Sequence, residues 1–185
     1  MLVTRALVGD EPFAVILGDD VIDAHPPAIK QMVDVFERVK GPVLAVERVP
    51  KDEISSYGVI APDPDAHLGE GVYRVKDLVE KPSKDEAPSD LAIIGRYILT
   101  PDIFPVLAAT KSDRTGEIQL TNGLRELLKT RPIYACEIKG VRHDTGNKLG
   151  FLKAVVYFAL RRPDLAEKFS AYLVSLGMPS PLGKR

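Results

Sequence analysis

Asp19 and Asp144 sit in the two stretches of this sequence most able to hold a metal ion, Gly18-Asp19-Asp20 and His143-Asp144-Thr145-Gly146-Asn147-Lys148. Each stretch follows what reads as a β-strand. In an open α/β sheet, ligands bind in the crevice outside the carboxyl ends of the strands. A carboxylate there can bind Mg²⁺, which takes oxygen ligands and keeps positions for phosphate and water. Asp19 and Asp144 are therefore candidates to share one cation. The plainer alternatives are that Asp19 and Asp20 solvate a loop or cap a helix. Asp144 could likewise cap the helix near Asn147, with Gly146 making a turn. Two aspartates at two strand ends of one sheet weigh more than either alone.

Val79-Glu80-Lys81-Pro82 is a second candidate. Neighbouring residues of a regular strand point to opposite faces, so Glu80 and Lys81 cannot both serve one pocket from a strand. The proline disfavours helix at Lys81 and removes a ladder donor, so the strand should end or bulge there. Lys81 could then balance phosphate charge while Glu80 accepts hydrogen bonds from hydroxyls; a solvent-exposed ion pair is the alternative. Gly58, after Tyr57, could let a ligand approach the backbone, or could simply make a turn. Glu117 in Gly116-Glu117-Ile118-Gln119-Leu120-Thr121 suits a helix start. Cys136 alternates with Tyr134 and Ile138 and reads as a buried structural thiol, and His143 receives no catalytic role. No GxGxxG follows a strand, and Gly140 to Lys148 lacks P-loop spacing, which disfavours a dehydrogenase or a P-loop NTPase.

The elements that would carry these residues follow an α/β pattern. Phe13 to Leu17 is a short apolar run suited to a central strand buried on both faces. Pro26 to Val39 has helical apolar spacing and ends near Gly41-Pro42, and Val43 to Val46 is a second buried strand. Strand, helix and strand in that order make a βαβ crossover. Tyr57 to Ala61, Val72 to Glu80 and Leu91 to Thr100 are strands without helices between them, so the sheet should be mixed. Asp102 to Thr110 and Gly116 to Thr130 read as helices, and Ile133 to Lys139 as a strand. Leu149 to Arg161 is apolar on nearly every face and reads as a buried helix. Asp164 to Leu176 is a last helix before a frayed tail over 178–185.

Composition bounds the rest. At roughly 150 residues per domain, 185 residues make about one domain. With 25 basic against 26 acidic residues the net charge is −1, which argues against a general nucleic-acid or membrane-surface binder. One cysteine allows neither an internal disulfide nor a zinc site of several thiolates, and the three histidines show no HExxH spacing. No apolar run approaches the ~20 residues that span a bilayer. A cytoplasmic protein is expected, entering core-type sequence almost at once with no leading element.

Taken in order, the segments resemble a known family. They are Gly9 to Asp19, Tyr57-Gly58-Val59, Val79-Glu80-Lys81-Pro82, Leu91 to Tyr97, Glu117 to Thr121 and His143 to Lys148. Together they resemble the UTP–glucose-1-phosphate uridylyltransferases, a branch of the bacterial sugar nucleotidyltransferases. The resemblance implies a Rossmann-like three-layer α/β sandwich with a mixed, mostly parallel central sheet. It implies Asp19 and Asp144 as ligands of Mg²⁺, Lys81 on the sugar phosphate, Glu80 on the glucose hydroxyls and Gly58 beside the sugar. Asp19 and Lys81 would be the catalytic groups. The implied partners are UTP, glucose-1-phosphate and UDP-glucose, with no nucleic acid, no membrane, and assembly as a homo-oligomer.

The family's glycine-rich Gly-x-Gly-Thr-Arg loop and Pro-Lys segment, which hold the nucleotide, have no counterpart among the 185 residues. The expectation is a single partial domain over 1–185 that corresponds to the C-terminal two-thirds, with the first strands missing. If these residues are the whole protein, little synthesis of UDP-glucose is expected. A non-catalytic binding or assembly partner of the same descent is the alternative.

Overall fold

The computed structural model describes residues 1–66, 68–112, 116–179 and 181; the expected frayed tail therefore lies partly outside the described residues. These residues form two compact units. The first comprises residues 1–17 and 23–140, the second residues 18–22 and 141–185.

The first unit opens with a 3-10 turn, Leu2–Thr4, and a single helical turn, α1 (Arg5–Val8), where no leading element was expected. Then come β1 (Phe13–Ile16), α2 (Ala28–Val39), β3 (Val43–Arg48), β4 (Gly58–Pro62), β5 (Val72–Glu80) and β6 (Leu91–Leu99). The helices α3 (Ile103–Ala109) and α4 (Leu120–Leu127) and the strand β7 (Tyr134–Glu137) complete it. β2 (Asp20–Asp23) lies between β1 and α2 and belongs to a separate two-stranded sheet.

The main sheet runs β1-β6-β3-β7-β5-β4, with a further bridge between β4 and β6. It is mixed, as expected: β1, β3, β4 and β7 run in one direction and β5 and β6 in the other, so β3–β7 is a parallel pair and the other pairings in this sheet are antiparallel. β1 and β3 each pair antiparallel with β6, so the crossover through α2 joins two parallel strands with β6 inserted between them. The apolar run from Phe13 to Leu17 forms the strand expected of it, but without burial on both faces. β1 is at the edge of the sheet, with Ile16 57% exposed, because a neighbour lies on one side of it only.

Alternation along β3 shows how the layers stack. Leu44 and Val46 join a core built with Phe104 and Leu107 of α3 and Leu124 and Leu127 of α4. Val43 and Ala45 point to the other face and are equally buried, and α2 packs against β3, β6 and β7. Helices therefore cover both faces of the sheet. Cys136 sits on the α2 face, buried, with its thiol pushed up to about 11 by burial.

The second unit contains the sheet β2–β8, with β8 (Val141–Asp144), followed by α5 (Lys148–Arg161) and α6 (Ala166–Ser175). Its packing corrects the expected burial of α5. Ala154 is buried, but Leu149, Phe151, Leu152, Val155 and Val156 are exposed. The packing partners of α5 are β8 and α6, which cover only part of its circumference. Among the described residues no helix is long and apolar enough to cross a membrane.

Candidate functional site

The two aspartates singled out from the sequence both lie in the second unit, one on each side of its two-stranded sheet. Asp19 directly precedes β2 and Asp144 ends β8. Thr145 holds the two segments together, since its N–H and its hydroxyl donate to the Asp19 carbonyl at 2.7 and 2.8 Å. A Cβ added to Gly146 would stand 3.1 Å from Asp144 Oδ1 and 3.2 Å from Asp19 Oδ2. Both carboxylates thus converge on the space that a side chain at 146 would fill.

Asp144 Oδ1 accepts from Gly146 N at 2.9 Å, and Oδ2 accepts from Asn147 Nδ2 at 3.3 Å. Asp144 does not cap α5. Asn147 does, its Oδ1 accepting from Gly150 N at 2.8 Å. Gly150 has a steric role that the sequence did not suggest. A Cβ there would come within 1.8 Å of the Asp144 carbonyl, so only glycine lets α5 start against the backbone of Asp144.

No group of three or more His, Cys, Asp or Glu side chains able to hold a metal occurs among the described residues. Two carboxylates on oxygen chemistry alone fit Mg²⁺, which completes its shell with waters and phosphate oxygens, better than they fit zinc. His143 stays out of the pair: its ring packs at a tilt against Tyr157 and Phe158, with centroids 4.3 and 5.3 Å away.

The other candidates lie in the first unit. Gly58 is directly opposite Glu80 across the β4–β5 ladder. A Cβ on Gly58 would stand 2.9 Å from Thr121 Oγ1 and 3.1 Å from Glu80 Oε2. The room left by the missing side chain is filled by a carboxylate and a hydroxyl of the protein itself. Thr121, buried in the first turn of α4, thus joins the group; its place beside Glu80 was not readable from spacing.

The strand breaks where the proline required. β5 ends at Glu80, and Lys81 N donates to the Tyr57 carbonyl at 3.0 Å. Lys81 itself adopts φ 46°, a left-handed value that costs a non-glycine residue about 1–2 kcal/mol. Its side chain is exposed, whereas Pro82 is buried. The turn swings Lys81 off the strand's alternation.

The model of the family described as nucleotidyl transferase matches residues 1–159. The chain belongs to the nucleotidyl transferase family. Within it, the chain is 45% identical over 181 residues to a UTP–glucose-1-phosphate uridylyltransferase of Streptococcus pneumoniae. That alignment takes in 96% of this chain and 60% of the relative. The chain thus spans about 60% of the length of the curated relatives it matches.

Among solved structures of this family, it resembles a UDP-glucose pyrophosphorylase complexed with UDP-glucose (TM-score 0.82, 45% identity). That superposition covers 87% of this chain and 61% of the other. A UTP-bound enzyme of this type from Acinetobacter baumannii matches with TM-score 0.82 at 32% identity, covering 95% of this chain and 60% of the other.

Proposed function

We propose that this nucleotidyl transferase chain serves uridylyl transfer from UTP to glucose-1-phosphate, giving UDP-glucose and pyrophosphate. The observation that carries the reading is the convergence of Asp19 and Asp144 on one point above Gly146. The likeness to uridylyltransferases over nearly the whole chain supports the choice of substrates.

In the reaction, a phosphate oxygen of glucose-1-phosphate bonds to the α-phosphorus of UTP, and the bond from that phosphorus to the bridging oxygen breaks to release pyrophosphate. Mg²⁺ held by Asp19 and Asp144 would neutralise charge on the phosphates. Lys81 brings an ammonium to the sugar phosphate, while Glu80, steadied beside Gly58 and Thr121, accepts hydrogen bonds from sugar hydroxyls. Positioning and charge neutralisation are what such a transfer needs, so no side-chain nucleophile is involved. The one thiol, at Cys136, is buried and protonated at neutral pH.

The purified chain should bind UDP-glucose in calorimetry with Mg²⁺ present, and Asp19→Asn should weaken that binding by about tenfold or more, as loss of a metal ligand does. No binding of UDP-glucose, UTP or glucose-1-phosphate, with or without Mg²⁺, would overturn the reading. A second reading is a binding protein of the same descent without turnover. Ligand binding without release of pyrophosphate from UTP and glucose-1-phosphate would select it.

A further inference from the structure

Asp20 and Arg142 flank the two carboxylates in sequence and take no part in the proposed reaction. Asp20 follows Asp19 at the start of β2, and Arg142 stands two residues before Asp144 on β8. Arg142 Nε donates to Asp20 Oδ1 at 2.5 Å, and the two side chains are only 9% and 11% exposed. Alternation along β8 places Arg142 and Asp144 on one face and His143, packed against Tyr157 of α5, on the other.

A buried ion pair is a poor device for stability alone, because desolvation of both charges offsets most of their attraction, and apolar residues of similar volume commonly do as well. Its strength is geometric. A guanidinium is planar, always charged and directional, so it accepts a carboxylate in few orientations. In a ribbon of two short strands, a slip of one residue would turn every side chain to the opposite face.

We propose that the Arg142–Asp20 pair is a positioning device that locks β2 against β8 and so sets the separation of Asp19 and Asp144. On this account Asp19 is pinned from both sides. Its own carbonyl is held by Thr145, and the next side chain is held by Arg142. The proposal rests on the metal reading for its purpose, although the lock itself is independent of any metal.

Two variants test it, Arg142→Lys, which keeps the charge without the fork, and the double variant Asp20→Leu/Arg142→Met, which replaces the pair by apolar bulk. Melting curves establish that each is folded, the double variant being the one expected to keep wild-type stability. Two readouts follow: hydrogen exchange of the Thr145 amide without metal, and binding of Mn²⁺ alone, followed by water-proton relaxation. The expected result is faster Thr145 exchange in both variants and Mn²⁺ affinity lower by about tenfold or more, the range for groups that orient metal ligands. Wild-type exchange and wild-type Mn²⁺ affinity in the folded double variant would overturn the proposal. Failure of wild-type protein to take up Mn²⁺, with Thr145 exchange still dependent on Arg142, would instead retain the lock and remove the metal reading.

Discussion

At Lys81 the backbone and the side chain can be separated experimentally. The left-handed φ of 46° is imposed by the end of β5, the buried Pro82 and the hydrogen bond to Tyr57. Left-handed backbone costs an L-residue about 1–2 kcal/mol, and glycine avoids that while losing roughly 0.5–1 kcal/mol more chain entropy on folding. Lys81→Gly should therefore be as stable as the parent, or more stable by up to about 1.5 kcal/mol. Lys81→Ala should stay close to the parent. Both should lose affinity for glucose-1-phosphate, because the ammonium is absent in each. Denaturant melts and calorimetry on the two variants check this. Unchanged affinity in both would return Lys81 to a solvent-exposed charge. Strain kept at a residue that could be relieved by one substitution suits a group whose position serves a ligand.

At the level of elements, α5 shows how a helix start can set a site. Gly150 is the third residue of the helix, and its N–H closes the Asn147 cap. By propensity alone, alanine there would stabilise the helix by about 1 kcal/mol. The 1.8 Å approach to the Asp144 carbonyl reverses that sign, since forcing a methyl into closed packing costs about 1–3 kcal/mol or more. Gly150→Ala should destabilise the protein by roughly 1–2 kcal/mol and weaken Mn²⁺ binding, with α5 displaced from Asp144. Wild-type melting and metal affinity would refute this. The same region shows what the sequence can convey. Asp19, Asp144, Glu80 and Lys81 were visible because each stands at a strand end or before a proline, where local rules apply. Gly150, Thr121 and the Arg142–Asp20 pair were not, because their roles depend on contacts across 41 to 122 residues or through space past a backbone carbonyl. β8 escaped notice because Arg142, His143 and Asp144 show no apolar alternation. The exposure of α5 escaped it because an apolar run reports hydropathy, not how many neighbours cover it.

For the whole molecule, the division into two units places the core and the carboxylates in different bodies. The main sheet, α2, α3 and α4 hold nearly all of the buried apolar side chains. Among the described residues of 18–22 and 141–185 the buried positions are Asp20, Ala154 and Ser170. A body with so few buried apolar contacts opens at a lower free energy than one with a dense core, so its amides should exchange first. Both candidate metal ligands lie in that weaker body, which gives the metal a measurable effect. A ligand that binds only the closed form stabilises it by mass action, about 1.4 kcal/mol at ten times its dissociation constant. Mg²⁺ at that level should slow exchange of α5 amides by roughly tenfold, where they exchange by opening of the unit. Amides of β3 and β6 should change little. The double variant Asp19→Asn/Asp144→Asn should abolish the slowing, since no carboxylate pair remains above Gly146. Equal slowing across both units, or slowing that survives in the double variant, would mean that the ion acts elsewhere than between these two aspartates.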